Sequence, residues 1–378
     1  MPSIRFTQPD KGTYEYFNKN KYTPENAQYW IDRAFKAVAM TDKTTDEMLR
    51  DMKEVYQKSI KELNREIEAF YGRYAIENGL TLEEVHKRLD PKQLKSAKEE
   101  IKRYYDFADP KKIGRNMSRE YRDELRRLSA RAYMSRLEEI KMKLKHIVVK
   151  LGAEQERRLE KALKKTYADT HARTAFTIDK GLGFSGGYTA PSEDALTKAV
   201  KEKWLESNYS ERIWKDKGLL LTAIDSELLS GIAQGHNPRK IAEAMSERFG
   251  LNYNNCERLA RTEMLHAMNS ATYSSYKEHG VEKYQFVCGF DERTCSKCGT
   301  LDGRIEEMKY AVEGVNYPVI HPCCRCSVTP VFEDEISELF NDDENTRLAY
   351  DEGRNHYDVP ASMTYKQWRE TVEKEKKD

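Results

Sequence analysis

C-G-F-D-E-R-T-C-S-K-C-G-T-L-D-G runs from Cys288 to Gly303, and H-P-C-C-R-C-S-V-T-P-V-F from His321 to Phe332. Six of the seven cysteines lie in these segments: Cys288, Cys295, Cys298, Cys323, Cys324 and Cys326. Cys295-x-x-Cys298-Gly299 has the form of a zinc knuckle, a tight turn presenting two thiolates, with Gly299 placed to take a positive φ. His321-Pro322-x-Cys324 repeats the spacing with an imidazole for the first thiolate. Two such pairs can supply four N/S ligands to one tetrahedral Zn²⁺. The expected set is Cys295, Cys298, His321 and Cys324. Cys326 is the alternative, since Cys-x-Cys also chelates, and Cys323 keeps the choice open. Four protein ligands leave no open coordination position, so the site reads as structural. Arg325 is placed to neutralise a thiolate-rich centre. Cys288 reads as a packed thiol.

Alternation at Tyr284, Phe286, Cys288 and Phe290 predicts a strand over Lys283–Phe290, and Ser327–Phe332 repeats the pattern. A β unit this small cannot stand on apolar burial alone, which is where a structural metal is usually needed.

Outward from this stretch the chain is helical. Its 378 residues allow two or three domains. Charged residues make up 34% against 38% hydrophobic, and mean hydropathy is −0.87. Such a composition suits long exposed helices with narrow apolar seams. A short amphipathic helix is expected over Asn26–Met40, after an irregular aromatic arm. Thr44-x-x-Glu47 then reads as a capping box opening a long helix. Its seam is Met48, Met52, Val55, Tyr56, Ile60, Leu63, Ile67, Phe70 and Tyr74, and Gly79 marks its end. Thr81-x-x-Glu84, Asp90-Pro91 and Asp109-Pro110 read as further helix starts. From about Ser118 the period resumes through Leu151 and continues past Gly152 to Tyr167. The segment 179–192 holds the densest glycines and reads as a loop or hinge. Ser192, Ser210, Asn237-Pro238 and Asn255 read as starts of compact helices, with Gly235, Gly250 and Gly280 as stops. Residues 333 to about 360 read as a loosely ordered acidic tail, and Met363–Glu375 as a terminal helix.

The predicted fold is therefore mainly α. It divides into a long-helical region (1–178), a compact helical domain (179–280), a small zinc-clipped β unit (281–332) and an acidic tail with a short helix (333–378).

Charge is unevenly placed although the formal net charge is +1. Residues 111–165 hold 18 Lys/Arg and 8 Asp/Glu, whereas 333–358 hold 2 and 10. The first block suits a polyanion, with Arg119, Arg122, Arg126, Arg127 and Arg131 as DNA-contact candidates. Met1–Phe6 has no signal-peptide character, and no stretch approaches the roughly 18 apolar residues of a membrane span. A reducing cytoplasm, where clustered cysteines serve as metal ligands, is the expected starting compartment.

The run Leu259-Ala260-Arg261-Thr262-Glu263, with Asn269, Tyr276 and Gly280, is followed by Asp291-x-x-Thr294-Cys295-x-x-Cys298. Leu301-Asp302-Gly303 and His321-Pro322-x-Cys324-Arg325-Cys326 complete the pattern. This ordered set resembles the minor head proteins of tailed bacteriophages, the phage head morphogenesis family with a Mu-F-like C-terminal domain. The resemblance is strongest over about 190–332. Tyr29-Trp30, Phe70-Tyr71 and Met363-Thr364-Tyr365-x-x-Trp368 look like versions from phages of Gram-positive hosts. Cys323 departs from the usual pattern. The resemblance implies a non-enzymatic virion protein present in few copies. Such a protein binds the portal protein during procapsid assembly in the host cytoplasm, alongside scaffold and capsid proteins. It lies inside the head near packaged double-stranded DNA.

The rival class is an enzyme. Cys295-x-x-Cys298 is also the form of a redox dithiol, and a zinc hydrolase could use Glu263 or Asp291 as base. Against the first, such a motif opens a helix after a strand, whereas residues 299–303 read as continuing turn. The second lacks H-E-x-x-H. A cellular nucleic-acid-binding zinc protein would need a helix with C₂H₂ spacing after the knuckle, and none is expected.

Overall fold

The computed structural model describes residues 24–76, 136–182, 188–332 apart from 235, 237 and 292, 346–350, 356–360, 363 and 365–375. The elements in order are α1 (Pro24–Ile76), α2 (Arg136–Leu182), α3 (Glu193–Lys201), α4 (Tyr209–Ala233) and α5 (Pro238–Glu278). Then come β1 (Lys283–Val287), α6 (Ser296–Leu301), β2 (Ile305–Glu307), β3 (Ser327–Val331), β4 (Thr346–Tyr350), β5 (His356–Pro360) and α7 (Tyr365–Glu375). The protein is mainly helical with small sheets near the C-terminus. The N-terminal arm, the helix starts between Gly79 and Asp109, all five arginines proposed for DNA and the acidic stretch 333–345 lie outside the described residues.

Packing groups the chain into two units, 1–45 with 162–200 and 261–378, and 46–161 with 201–260. The four-segment reading follows chain order, whereas this grouping gathers separated pieces of the same long helices.

In the second unit, the expected seam of α1 is buried at Met48, Met52, Tyr56, Leu63, Ile67 and Phe70. Three- and four-residue steps put these side chains on one stripe. Leu144, Val148 and Leu151 of α2 and Ile213, Leu220 and Ile224 of α4 are buried in the same unit. Each fully buried aliphatic side chain contributes on the order of 2 kcal/mol. α2 passes through Gly152 as the period predicted, and the reason for that glycine is spatial. A Cβ there would lie 2.6 Å from Cζ3 of Trp214.

Three boundary expectations are corrected. No helix starts at Thr44: α1 runs straight through it. Thr44 and Thr45 instead turn their hydroxyls back onto the carbonyls of Met40 and Thr41, at 3.1 and 2.7 Å, as mid-helix threonines do. α4 is capped by Asn208, whose Oδ1 accepts from the Glu211 N–H at 3.0 Å. Glu211 accepts from the Asn208 N–H at 3.3 Å, completing the capping box. α5 neither stops at Gly250 nor restarts at Asn255, because a single glycine costs a helix only about 1 kcal/mol. Two starts held: Ser192 Oγ accepts from the Ala195 N–H ahead of α3, and Pro238 is the first residue of α5.

In the first unit, β1 is the central strand of an antiparallel sheet ordered β2-β1-β3. Lys283 pairs with Val331 on one side and Glu307 on the other. Tyr284 and Phe286 are fully buried. Tyr284 joins a core that includes Trp30, Ile178, Tyr276 and Val328. The sheet thus borrows apolar cover from helices and does not rest on a metal for its whole core. Where a loose tail was expected, β4 and β5 instead pair antiparallel, with Thr346 opposite Pro360 and Tyr350 opposite His356. The terminal helix is present as α7, its Trp368 2% exposed and stacked 5.9 Å from Phe290.

Candidate metal centre

The Cys/His residues sit on two loops that the sheet brings together. The first leaves β1 and enters α6. Cys295 is the N-cap of that helix, and its Sγ accepts from the Cys298 N–H at 3.4 Å. The second loop precedes β3. The Cys324 N–H donates to the His321 carbonyl at 3.0 Å, closing a turn in which Cys323 takes a φ of 59°. Because β1 and β3 are adjacent, the two loops emerge side by side.

The two loops bring ligand atoms into two overlapping groups. Cys295, Cys298 and His321 form one, and Cys298, Cys324 and Cys326 the other, with all ligand atoms of each group within 4.8 Å of one another. Groups of this kind could hold a metal ion. Cys298 is common to both. Its Sγ lies 3.9 Å from that of Cys324. Two thiolates on a tetrahedral ion with bonds of about 2.3 Å would stand roughly 3.8 Å apart. His321 Nδ1 lies 2.9 Å from the Pro322 carbonyl. Donation there leaves Nε2 as the ligand atom. Cys298, Cys324 and Cys326 are buried, while Cys295 and His321 are half-buried.

Electrostatics within the cluster single out Cys324. Hydrogen bonds from Cys298 first, and then Cys326, hold its thiol far below the usual cysteine range. Cys298 is pushed up, chiefly by Cys324, and Cys326 is pushed up by Cys298 and Cys324. The first negative charge therefore settles on Cys324.

Cys288 and Cys323 belong to neither group. Cys288 is fully buried, and its N–H donates to Asp302 Oδ1 at 2.9 Å. Asp291, ahead of the Cys326 thiol, is the main partner of Arg325. The guanidinium forks onto Asp291, with Nη2 2.6 Å from Oδ1 and Nη1 against Oδ2. Burial pushes the Asp291 carboxyl up, but Arg325 and Arg293 outweigh it and hold the group below its ordinary value. An aspartate so engaged is a poor general base. Gly299 is also corrected, since it lies within the helix Ser296–Leu301. The positive φ in this loop falls at Gly303, at 78°. Cys295-x-x-Cys298 does open a helix after a strand, so the expected continuing turn is overturned, and with it that objection to a redox dithiol.

Sequence reasoning missed what holds the second loop. Thr262 Oγ1 accepts from the Cys323 N–H at 3.0 Å. Asn269 Nδ2 donates to the Cys326 carbonyl at 3.2 Å, and Tyr276 Oη to the Val328 carbonyl at 3.2 Å. These three α5 residues recur every seven positions, which puts them on one helix face. That period was the available signal. Arg261-Thr262-Glu263 lies mid-helix, not at a helix start, and presents Thr262 to the Cys loop. His266 sits 2.6 Å from Glu313 through Nδ1.

Residues 222–329 match the family model described as Phage Mu protein F like protein. Minor head protein GP7 of Bacillus phage SPP1 is 24% identical over 196 residues, 48% of this chain and 63% of that protein. The aligned region thus spans less than two thirds of that relative. No solved structure matches. The matched residues run from within α4 to β3 and include the α5 face that fastens the Cys/His loops, so this part of the chain is similar to Phage Mu protein F like protein.

Proposed function

We propose that this chain is a minor head protein of a tailed phage, a structural component of the virion and not an enzyme. The observation that carries the reading is the coincidence of the family match with the α5 face. Thr262, Asn269 and Tyr276 spend their polar groups on loop backbone, a use that builds a scaffold. In this reading the protein joins the portal during procapsid assembly, with scaffold and capsid proteins nearby, and lies inside the head near packaged DNA. Affinity capture of the chain co-expressed with the portal protein of the same phage tests it. Co-elution through size exclusion supports the reading, and clean separation at low salt sinks the portal assignment.

The Cys/His groups are read as one structural Zn²⁺ site of Cys295, Cys298, His321 and Cys324. The sulfur–sulfur separation and the borderline-soft donor set fit zinc. Cys326 stands beside Cys298 and Cys324 as the substitute ligand. A bound ion would clip the α6 loop to the β3 loop and neutralise the charge that settles on Cys324. Elemental analysis of purified protein should give about one zinc per chain. Zinc-free protein with an unchanged melting temperature would refute the site.

The DNA contact is read onto Arg119, Arg122, Arg126, Arg127 and Arg131. Charge reversal of three of them should abolish salt-sensitive duplex binding. Unchanged binding would move the contact elsewhere.

A further inference from the structure

The first unit carries a cavity of about 220 Å³ that the metal centre and the family match leave without a role. Its walls are α1 around Trp30–Met40 and α2 around Thr170–Ile178, and β3 closes one end. Its floor is the outer face of the core, made by Trp30, Ile178 and Val328, all nearly fully buried.

Among the described residues the lining contains three cations, Arg33, Lys36 and Arg173, and no carboxylate. In a chain with 65 basic and 64 acidic residues, that is a local excess. None of the three sits in an ion pair among the described residues. The Arg33 guanidinium lies 3.6 Å over the Tyr29 ring, and the Tyr29 hydroxyl donates to the Thr177 carbonyl at 3.0 Å. Stacking on a tyrosine fixed in this way holds Arg33 at the rim. Arg173 Nη1 lies 2.9 Å from the Met40 sulfur. Phe176, 66% exposed, adds an aromatic surface to the same rim.

We infer that this cleft docks an acidic segment of a partner protein, with one large apolar side chain in the cavity and flanking carboxylates on Arg33, Lys36 and Arg173. Size and chemistry select this occupant. The volume is below the roughly 300–1,000 Å³ of pockets that enclose drug-sized molecules, but it suits one aromatic side chain. The floor is apolar, and a small hydrated anion would gain nothing from it. An apolar side chain gains from burial there. Two guanidiniums at the rim match carboxylates in bidentate geometry and select against basic partners.

The test uses the full chain and fluorescence anisotropy with a labelled capped pentapeptide, Asp-Glu-Phe-Glu-Asp. Two controls are its neutral version, Asn-Gln-Phe-Gln-Asn, and its anchorless version, Asp-Glu-Gly-Glu-Asp. The acidic Phe peptide should bind at least about tenfold more tightly than either control, needing both charge and anchor. Arg173→Glu and Lys36→Glu alter exposed side chains and should each weaken it about tenfold with an unchanged melting temperature. Ala37→Gln, which fills the cavity without touching a charge, should do the same. Equal affinity for the three peptides overturns the proposal, as does binding indifferent to all three substitutions. Arg173-dependent binding of inorganic phosphate or duplex DNA in place of the peptide also overturns it.

Discussion

Gly299 and Tyr365 approach so closely that a Cβ on the glycine would lie 2.1 Å from the tyrosine Cδ1. That contact seats α7 on α6, the helix that carries Cys298. Tyr365 Oη also donates to the Thr294 carbonyl at 2.7 Å, which ties α7 to the turn before Cys295. Gly299→Ala should therefore push the Tyr365 ring off its seat and destabilise the protein by about 1–3 kcal/mol. Combining it with Tyr365→Ala should cost less than the sum of the two single changes, because the clash is shared. Strict additivity in denaturant midpoints would show that α7 does not dock there.

Two helix starts give a paired prediction. Asn208→Ala removes the side-chain half of a reciprocal cap, leaving the backbone N–H that Glu211 accepts from, and should cost about 1 kcal/mol. Thr44→Ala removes only a hydroxyl bonded back within α1 and should be neutral or slightly stabilising. A loss of about 1 kcal/mol at Thr44 would mean that α1 breaks there after all. Urea melts of the two single variants decide it.

These pairs also show what the sequence could and could not reveal. The α1 seam and the strand at Lys283 were readable because one buried face imposes a period that residue types must follow. Capping signals were weaker, since the hydroxyl that caps a helix also bonds back inside one, and only the flanking packing chooses. Thr44 and Asn208 fell on opposite sides of that choice. Gly250 looked like a stop because propensity favours one, but tertiary packing on both sides of it carried α5 through. The Cys and His residues that the two loops gather were legible from spacing alone. Their supports were not: Arg325 faces Asp291, and Gly299 faces Tyr365 across 66 positions of chain, which no local pattern encodes.

Cys323 and Cys324 are neighbours with opposite roles in this geometry. Cys323 holds a left-handed backbone and lies outside both ligand groups. A non-glycine residue there is strained by about 1–2 kcal/mol. Cys323→Gly should keep the metal content and raise the melting temperature slightly. Cys324→Ser removes the sulfur 3.9 Å from Cys298 and should lose or sharply weaken the metal. Cys326→Ser should have the smaller effect if Cys324 is the fourth ligand. Metal retained by Cys324→Ser and lost by Cys326→Ser would reverse that choice.

Lys217 is fully buried in the second unit, where its Nζ meets the Tyr56 hydroxyl at 2.6 Å and Asn252 Oδ1. Burial, only partly offset by Cys256 and Asp216, lowers its pKa to about 8. The unfolded lysine titrates near 10.4. Between those values the unfolded chain holds a proton that the folded chain has released, so this group makes stability rise with pH. Cys256 works against it. Burial pushes that thiol up to about 11, so its contribution is present below the ordinary thiol pKa and lost as pH climbs towards about 11. The lysine therefore dominates just above pH 8, before the thiol titrates. Lys217→Met should remove the rise there, about 1.4 kcal/mol per pH unit at most, and leave the decline at higher pH. Tyr56 would still donate to Asn252 Oδ1, at 2.7 Å, so the variant should fold. Urea midpoints from about pH 7.5 to about pH 10 for the two proteins give the comparison. Parallel curves would show that Lys217 is not the titrating group.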